Sequence, residues 1–406
     1  MKYSFSFDDA QTLSSVIGII GGDSKTEIVF GVGDEPTCIT VYGGVRQARI
    51  QLKAKSEATE KKVVIFESKT FNTLLGAVLA LKKDIILDVT DAVAYVEVEG
   101  KARLEIVPLS EEEITGIEMN PKTLLLQAKA KAKNALRAFK VGGSMTQNTD
   151  NANGMNNVLL TVSGDKAFIT SINGLSGGTS SFAFEQKNSN EVIDGNLKAY
   201  LEDKKIPELM LPIPKQIAGD IASLLAISET TLIAASAKAI HLMPSGSVMY
   251  SAVLGANAFT QGKDIINQMV AMPKVTQVTV DAANLKESVS LLKKTMELGS
   301  KKPAMVCTLT PGEVRFESAI NAESCVRVSA VEGNGPESDK GLDPSLFLEA
   351  ISPLSGNVTL SYAENDKSPV VITSGTVEQP SNDDAIIILP VIISEETTEG
   401  VDTESV

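Results

Sequence analysis

The chain is poor in the side chains that most catalytic centres use. Its 406 residues include no tryptophan, one histidine and three cysteines. No metal-ligand cluster, Cys-x-x-Cys pair or phosphate-binding Gly-rich loop is present, which removes the commonest metal, dithiol and nucleotide chemistries. Cys38, Cys307 and Cys325 are odd in number and far apart. They exclude a disulfide framework and predict buried free thiols in a reducing cytoplasm. Aromatic residues make up only 4%, so the core must rest on Leu, Ile, Val, Ala and Met. No apolar run is long enough to span a membrane. The N-terminus, Met1-Lys2-Tyr3-Ser4-Phe5, starts on a strand-like alternation and lacks the apolar core of a signal peptide. A cytoplasmic protein without a membrane partner is expected.

What the chain does have is repetition. A short capped helix followed by a strand hairpin occurs six times, with predicted helix starts near Phe7, Ser68, Asn120, Pro212, Asp281 and Asp343. Hairpins follow at Thr26–Tyr42, Asp84–Glu99, Asn157–Ile172, Thr230–Met243, Ala304–Ser318 and Asn357–Ser374. Ser68, Asn120, Asp281 and Asp343 are good N-caps, and Pro121 and Pro344 sit where a missing N–H does no harm. Two such units per domain give an α+β chain of three similar domains, 1–118, 119–275 and 276–393, followed by an acidic, disordered tail, 394–406. Repeated units place the function in an assembly of like parts rather than in one cleft.

Charge is unevenly spread. The net charge is −14, yet Pro121–Lys140 carries Lys122, Lys129, Lys131, Lys133, Arg137 and Lys140 with no acid. Read as one helix, it places Lys122, Lys129, Lys133, Arg137 and Lys140 on one face, with Lys131 off it. Leu125, Ala128, Ala132, Ala135, Leu136 and Phe139 form the apolar stripe. The fifth helix repeats the design with Lys286, Lys293 and Lys294 beside Leu285, Val289, Leu292 and Met296. A solvated amphipathic helix is the ordinary reading of such a pattern, and the absence of any acid over these twenty residues is what argues against it. If these cations meet phosphate, binding is sequence-independent and salt-sensitive.

One catalytic pattern matches. Gly174-Leu175-Ser176-Gly177-Gly178 fits Gly-x-Ser-x-Gly, but a nucleophile elbow needs a helix after the serine. Thr179–Phe184 reads as a strand, so a Gly- and Ser-rich turn is the plainer account. His241 lies in a strand-like run and reads as structural.

The serial order of these units resembles the bacterial β sliding clamp family, the processivity subunit of DNA polymerase III. Leu159-Leu160-Thr161-Val162 through Phe168–Gly174 is similar to the family's second-domain hairpin. Ser368–Ile372 is similar to its last hairpin, and Ile386–Val391 to its terminal strand with a proline. The resemblance implies a non-enzymatic, cofactor-free, homodimeric ring, with helices lining a hole and sheets outside. It implies that duplex DNA is encircled on the nucleoid, and that polymerase and clamp loader insert short peptides into an apolar pocket. By position that pocket holds Met155, Ile172, Gly174, Leu175, Gly177, Pro369, Ile387 and Leu389, and the eight cations of the third and fifth helices would face DNA. Leu175-Ser176 stands where the family has His-Arg, the first and last helices carry no basic residue, and an acidic tail follows where the family's chain stops.

Two other readings remain open. One is a diverged clamp-like scaffold that binds proteins without being loaded at a fork. The other is a serine hydrolase built on Ser176. For the ring, the edge strand Lys101–Val107, with Leu104 and Ile106, is the expected dimer contact on one side.

Overall fold

The computed structural model describes residues 2–21, 24–32, 35–52, 55–56, 62–90, 92–109, 116–147, 153–257, 259–297, 303–319, 323–365 and 367–393. The predicted acidic tail lies outside them. Among the described residues the helices are α1 (Phe7–Ile20), α2 (Ser68–Leu79), α3 (Ala132–Gly142), α4 (Glu191–Lys204), α5 (Lys215–Ala226), α6 (Gly262–Ala271), α7 (Ala282–Glu297) and α8 (Pro344–Ile351). None is long and apolar enough to cross a membrane.

Local chemistry explains where these helices start. Ser6 Oγ accepts the Asp9 N–H at 3.1 Å, and Ala10, Leu13, Val16, Ile17 and Ile20 make the buried stripe of α1 at helical spacing. Asp281 Oδ1 accepts the Ala283 and Asn284 N–H groups ahead of α7. Asp343 does the same for Ser345 and Leu346, with Pro344 opening α8. All six predicted hairpins are present as antiparallel pairs.

The third predicted helix is corrected. Asn120 caps only a 3-10 turn, Pro121–Thr123, and Leu124–Lys131 is a strand paired along its length with Thr230–Ser236. The α-helix begins at Ala132. Helix α4, capped by Asn190, and helix α6 have no counterpart in the sequence reading. The expectation of buried thiols holds for Cys307 alone: Cys38 is half-buried and Cys325 exposed, and all three are free.

Contacts divide the chain into two units. The first comprises Met1–Leu136, Phe184–Pro207 and Gly219–Leu254. It holds a five-stranded antiparallel sheet in the order Lys55–Ser56, Lys2–Phe5, Ile85–Val89, Ala94–Val98, Ala102–Ile106. A longer sheet runs Val63–Glu67, Lys25–Val29, Thr37–Tyr42, Arg46–Leu52, Val248–Val253, Ala239–Ser245, Thr230–Ser236, Leu124–Lys131. The join between sequence-distant halves is the ladder Ala48↔Tyr250, Ile50↔Val248. Beneath it, Arg46 pairs with Asp220 at 2.7 Å, and Tyr250 Oη donates to the same carboxylate at 2.8 Å.

The second unit comprises Arg137–Ala183, Glu208–Ala218 and Gly255 onward. Its long sheet runs Leu209–Pro214, Asn157–Ser163, Lys166–Ile172, Ser176–Lys187, Pro380–Ile388, Val370–Gly375, Asn357–Tyr362, Thr276–Asp281, Glu332–Asn334. Here the join is Gly177↔Ile387 and Thr179↔Ala385. A four-stranded sheet, Cys325–Ser329, Glu313–Ser318, Met305–Thr310, Ser338–Leu342, completes it. Leu285, Val289, Leu292, Phe316, Phe347 and Leu360 belong to one core under α7 and α8. Tyr362 Oη donates to the Cys307 carbonyl at 2.8 Å. The end of α3 lies against its sheet without side chains between them. A Cβ on Gly142 would stand 2.0 Å from the Ile169 carbonyl oxygen, and one on Gly178 would stand 2.7 Å from that of Val141.

Candidate functional site

The second unit gathers the eight residues expected to form an apolar pocket onto neighbouring strands and the turns and segments that flank them. Ile172 lies opposite Gly177, Gly177 opposite Ile387, and Ile387 opposite Val371. The Leu389 N–H donates to the Leu175 carbonyl at 2.8 Å. The turn that places Leu175 is built by Asn173, whose Oδ1 accepts the N–H groups of Leu175 and Ser176 at 2.9 and 2.8 Å. Gly174 has φ +89°, a conformation glycine reaches at little cost. Gln147 Nε2 reaches both Met155 Sδ and the Asn173 carbonyl oxygen, at 3.6 and 3.0 Å, and so ties Met155 to that turn. Pro369 is buried just before Val370, which lies opposite Ile388.

The roles of these side chains differ. Ile387 is covered: it clusters with Ile266, Val371 and Ala385, and Met269 and Val270 of α6 pack on it. Gly177 must stay small, because a Cβ there would meet Ile172 and Ile266, each at 3.2 Å. The accessible apolar surface comes from Leu175, 61% exposed, and Leu389, 39% exposed. Beyond Leu389 the chain continues over the strand Ser338–Leu342, where the Val391 N–H donates to the Gly341 carbonyl at 2.9 Å. A cavity of about 560 Å³ opens there, lined by Val306, Asp339, Lys340, Gly341, Lys367 and residues 389–393. Sequence reasoning missed this cavity and α6. The i, i+3, i+4 spacing of Ile266, Met269 and Val270 was the available signal for the helix. Nothing in the sequence ties Lys340 to Leu389.

The eight candidate DNA-binding cations do not share one kind of element. Lys133, Arg137 and Lys140 lie on one face of α3 at i, i+4, i+7, and Lys133 and Lys140 are exposed. Arg137 is already engaged, with Nη1 on Asp384 at 2.8 Å and Nη2 on the Ser181 carbonyl at 2.8 Å. On α7, Lys286 Nζ donates to the Leu354 carbonyl, Lys293 pairs with Glu297 at 3.4 Å, and Lys294 is exposed. Lys122 lies on the 3-10 turn. Lys129 is on a strand, where Ala128 and Ala130 are buried and Lys129 and Lys131 are exposed. The helical face that was to carry Lys122 and Lys129 beside Lys133 does not exist.

The hydrolase reading fails on geometry. Ser176 opens a strand, not a helix, and is 2% exposed. Its Oγ lies 2.9 Å from Met145 Sδ and 3.1 Å from Asn173 Oδ1, with no base in contact among the described residues. His241 is buried, its Nδ1 2.8 Å from Ser251 Oγ, and burial pushes its pKa down to about 4. It is neutral at pH 7 and braces two strands. No group of three or more potential metal ligands occurs among the described residues.

The edge strand Ala102–Ile106 is present. Leu104 is half-exposed on it, whereas Ile106 turns into its own core at 4% exposure.

This arrangement of helices and long joined sheets is the fold of the DNA polymerase III β-subunit sliding clamps. The DNA polymerase III subunit beta of Pseudomonas aeruginosa superposes with a TM-score of 0.74 at 16% identity, over 97% of this chain and 100% of that one. The β subunit of Thermotoga maritima gives 0.75 at 10% identity over 97% and 100%. That of Borrelia burgdorferi, solved with a natural product, gives 0.76 at 14% identity over 97% and 99%. No protein-family model and no curated protein sequence matches.

Proposed function

We propose that this chain is a sliding clamp, a non-catalytic, cofactor-free ring that encircles duplex DNA and tethers a polymerase to it. The observation that carries the reading is the agreement of fold along nearly the whole of both chains with DNA polymerase III β subunits. Each of the two smaller sheets ends in an edge strand, Ala102–Ile106 in one unit and Cys325–Ser329 in the other. Paired head to tail between two copies, these edges close a homodimeric ring. The three-domain division at 119 and 276 belongs to this proposal. So do the DNA contacts, now assigned to Lys122 and to the helical cations Lys133, Lys140 and Lys294, with Arg137, Lys286 and Lys293 partly committed elsewhere. Polymerase and clamp-loader peptides would dock on Leu175 and Leu389 and extend into the cavity beside Lys340. A cytoplasmic, nucleoid-associated setting follows from the same reading.

Retention by topology needs only weak phosphate contacts that permit sliding. The test is retention on nicked circular DNA before and after linearisation. A loaded clamp stays on the circle at high salt and is lost when the DNA is cut. Salt-sensitive loss from both forms would reject encirclement.

A diverged scaffold that is not loaded on DNA is the second reading. It is favoured by α1, which has Asp8 and Asp9 in its first turn and no basic residue, and by α8, which has no basic residue. A chain that binds polymerase peptide but never becomes salt-resistant on circles would be that scaffold.

A further inference from the structure

The two long sheets are built alike, each joining sequence-distant halves by one antiparallel ladder, and the join in the first unit has a cavity of its own. It measures about 470 Å³ and is lined by Arg49 and Gln51 on one side of the ladder, and by Leu232, Met243, Pro244 and Met249 on the other, with Lys129 at its edge. Helix α1 packs on the strands Thr37–Tyr42 and Arg46–Leu52, where Ala48 and Ile50 are buried. Arg49 and Gln51, the alternate residues, are exposed on the opposite face. Lys129 is exposed by the same alternation on its own strand.

We propose that this groove is a second docking site, for an extended peptide that carries a carboxylate next to an aliphatic side chain. Three observations select that occupant. Arg49 and Lys129 supply two cations, and no carboxylate lines the cavity. Arg49 Nη2 donates to Cys38 Sγ at 3.6 Å and acts on the Tyr42 hydroxyl, and neither cation has a carboxylate within ion-pair distance among the described residues. The floor is aliphatic and thioether, with Met243 and Met249 able to repack around a Leu-sized group. It contains no aromatic ring on which a base would stack, which disfavours single-stranded nucleic acid. The groove also has a direction. Arg49 and Gln51 are shared with a neighbouring cavity that carries Glu27, Glu35 and Tyr42. An acidic residue is therefore drawn to the Lys129 end, and a basic or neutral one to the Glu27 end.

The probe is a fluorescein-labelled Asp-Leu-Asp-Leu-Lys peptide, titrated by anisotropy against the full chain. The Arg49→Ala/Lys129→Ala double variant, both positions being exposed, should melt like the parent and bind at least roughly tenfold more weakly. An Asn-Leu-Asn-Leu-Lys peptide should lose a similar factor against the parent. The same comparison is made in a Leu389→Asp background, which removes the pocket proposed above in the other unit; there the double variant should still lose that factor, which separates the two sites. Equal binding by the double variant in that background, or no binding left once Leu389 is replaced, would overturn the assignment. Tighter binding by a chain ending at Ile393 would give the groove to the chain's own acidic tail and overturn the partner assignment. Loss of oligo-dT binding, or of the dimer, in the double variant with the peptide unaffected would give it to nucleic acid or to a second copy, and would overturn it equally.

Discussion

Arg137 Nη1 lies 2.8 Å from Asp384 Oδ2, and that carboxylate is 3% exposed. Ser374 Oγ donates to the same Oδ2 at 2.9 Å, Ser180 donates to Oδ1, and Arg137 also holds the Ser181 carbonyl. The cation therefore ties α3 to the strands at the sheet join. Arg137→Ala leaves a buried carboxylate without its counter-charge. It should destabilise the chain by about 2 kcal/mol, read as a lower urea midpoint. An unchanged midpoint would leave Arg137 free for phosphate.

The exposed cations of α3 should behave differently. Lys133→Ala and Lys140→Ala should each reduce the slope of log affinity against log salt for duplex DNA by about 0.9 if each touches one phosphate. Lys129→Ala, on the sheet face, should not change it. A slope lowered by Lys129→Ala and untouched by the other two would reverse the assignment.

At the pocket, Leu389→Asp puts a charge where 39% exposure allows it without unfolding. A Leu- or Phe-containing polymerase peptide should lose roughly 1.5–3 kcal/mol, the worth of one buried aliphatic contact. Calorimetric titration of both proteins, with matched melting curves, decides the matter. Equal affinities would remove Leu389 from the site.

For the proposed ring, Leu104→Asp should give a folded monomer by light scattering, because its side chain is half-exposed on an edge strand. Ile106→Asp should unfold the sheet instead, since Ile106 belongs to the core. A Leu104→Asp dimer as stable as the parent would place the contact elsewhere.

His241 predicts a pH dependence. Its pKa falls to about 4 in the fold through burial, from an ordinary value of 6.5. Between these values the unfolded chain binds the proton and the folded chain does not. The stabilisation is complete above about pH 6.5 and is lost as the pH falls towards 4, a change on the order of 3 kcal/mol. His241→Asn should flatten that part of the stability profile, measured as urea midpoints at pH 7 and pH 4.5. A profile parallel to the parent's would show that other groups set it.

The hairpins were legible because their alternation and turn residues are local signals. Leu124–Lys131 was not. Its Leu, Ala, Lys and Gln are good helix formers, and the short alternation Ala128-Lys129-Ala130-Lys131 was the only local trace of a strand. Pairing with Thr230–Ser236, a hundred residues away, decides the matter, and no local propensity records it. The pocket residues could be named by position in the resemblance, but which of them are accessible could not. Ile387 and Leu389 look alike in sequence, and only the packing of α6 separates the covered one from the open one. The cavity beside Lys340 depends on the path of residues 389–393, which is likewise a tertiary fact.

The bare approach of α3 to its sheet bears on how mutational scans of this chain will read. At Gly142 even a methyl group collides with the backbone oxygen of Ile169, an atom that cannot move aside as a side chain can. Gly142 and Gly178 will therefore score as intolerant for reasons that lie within the fold itself. Gly174, where a Cβ meets nothing within 4 Å, is constrained by its positive φ alone and should accept Asn. Intolerance at a glycine here maps backbone clearance or a positive φ, whereas intolerance at an open side chain such as Leu389 would bear on the proposed recognition.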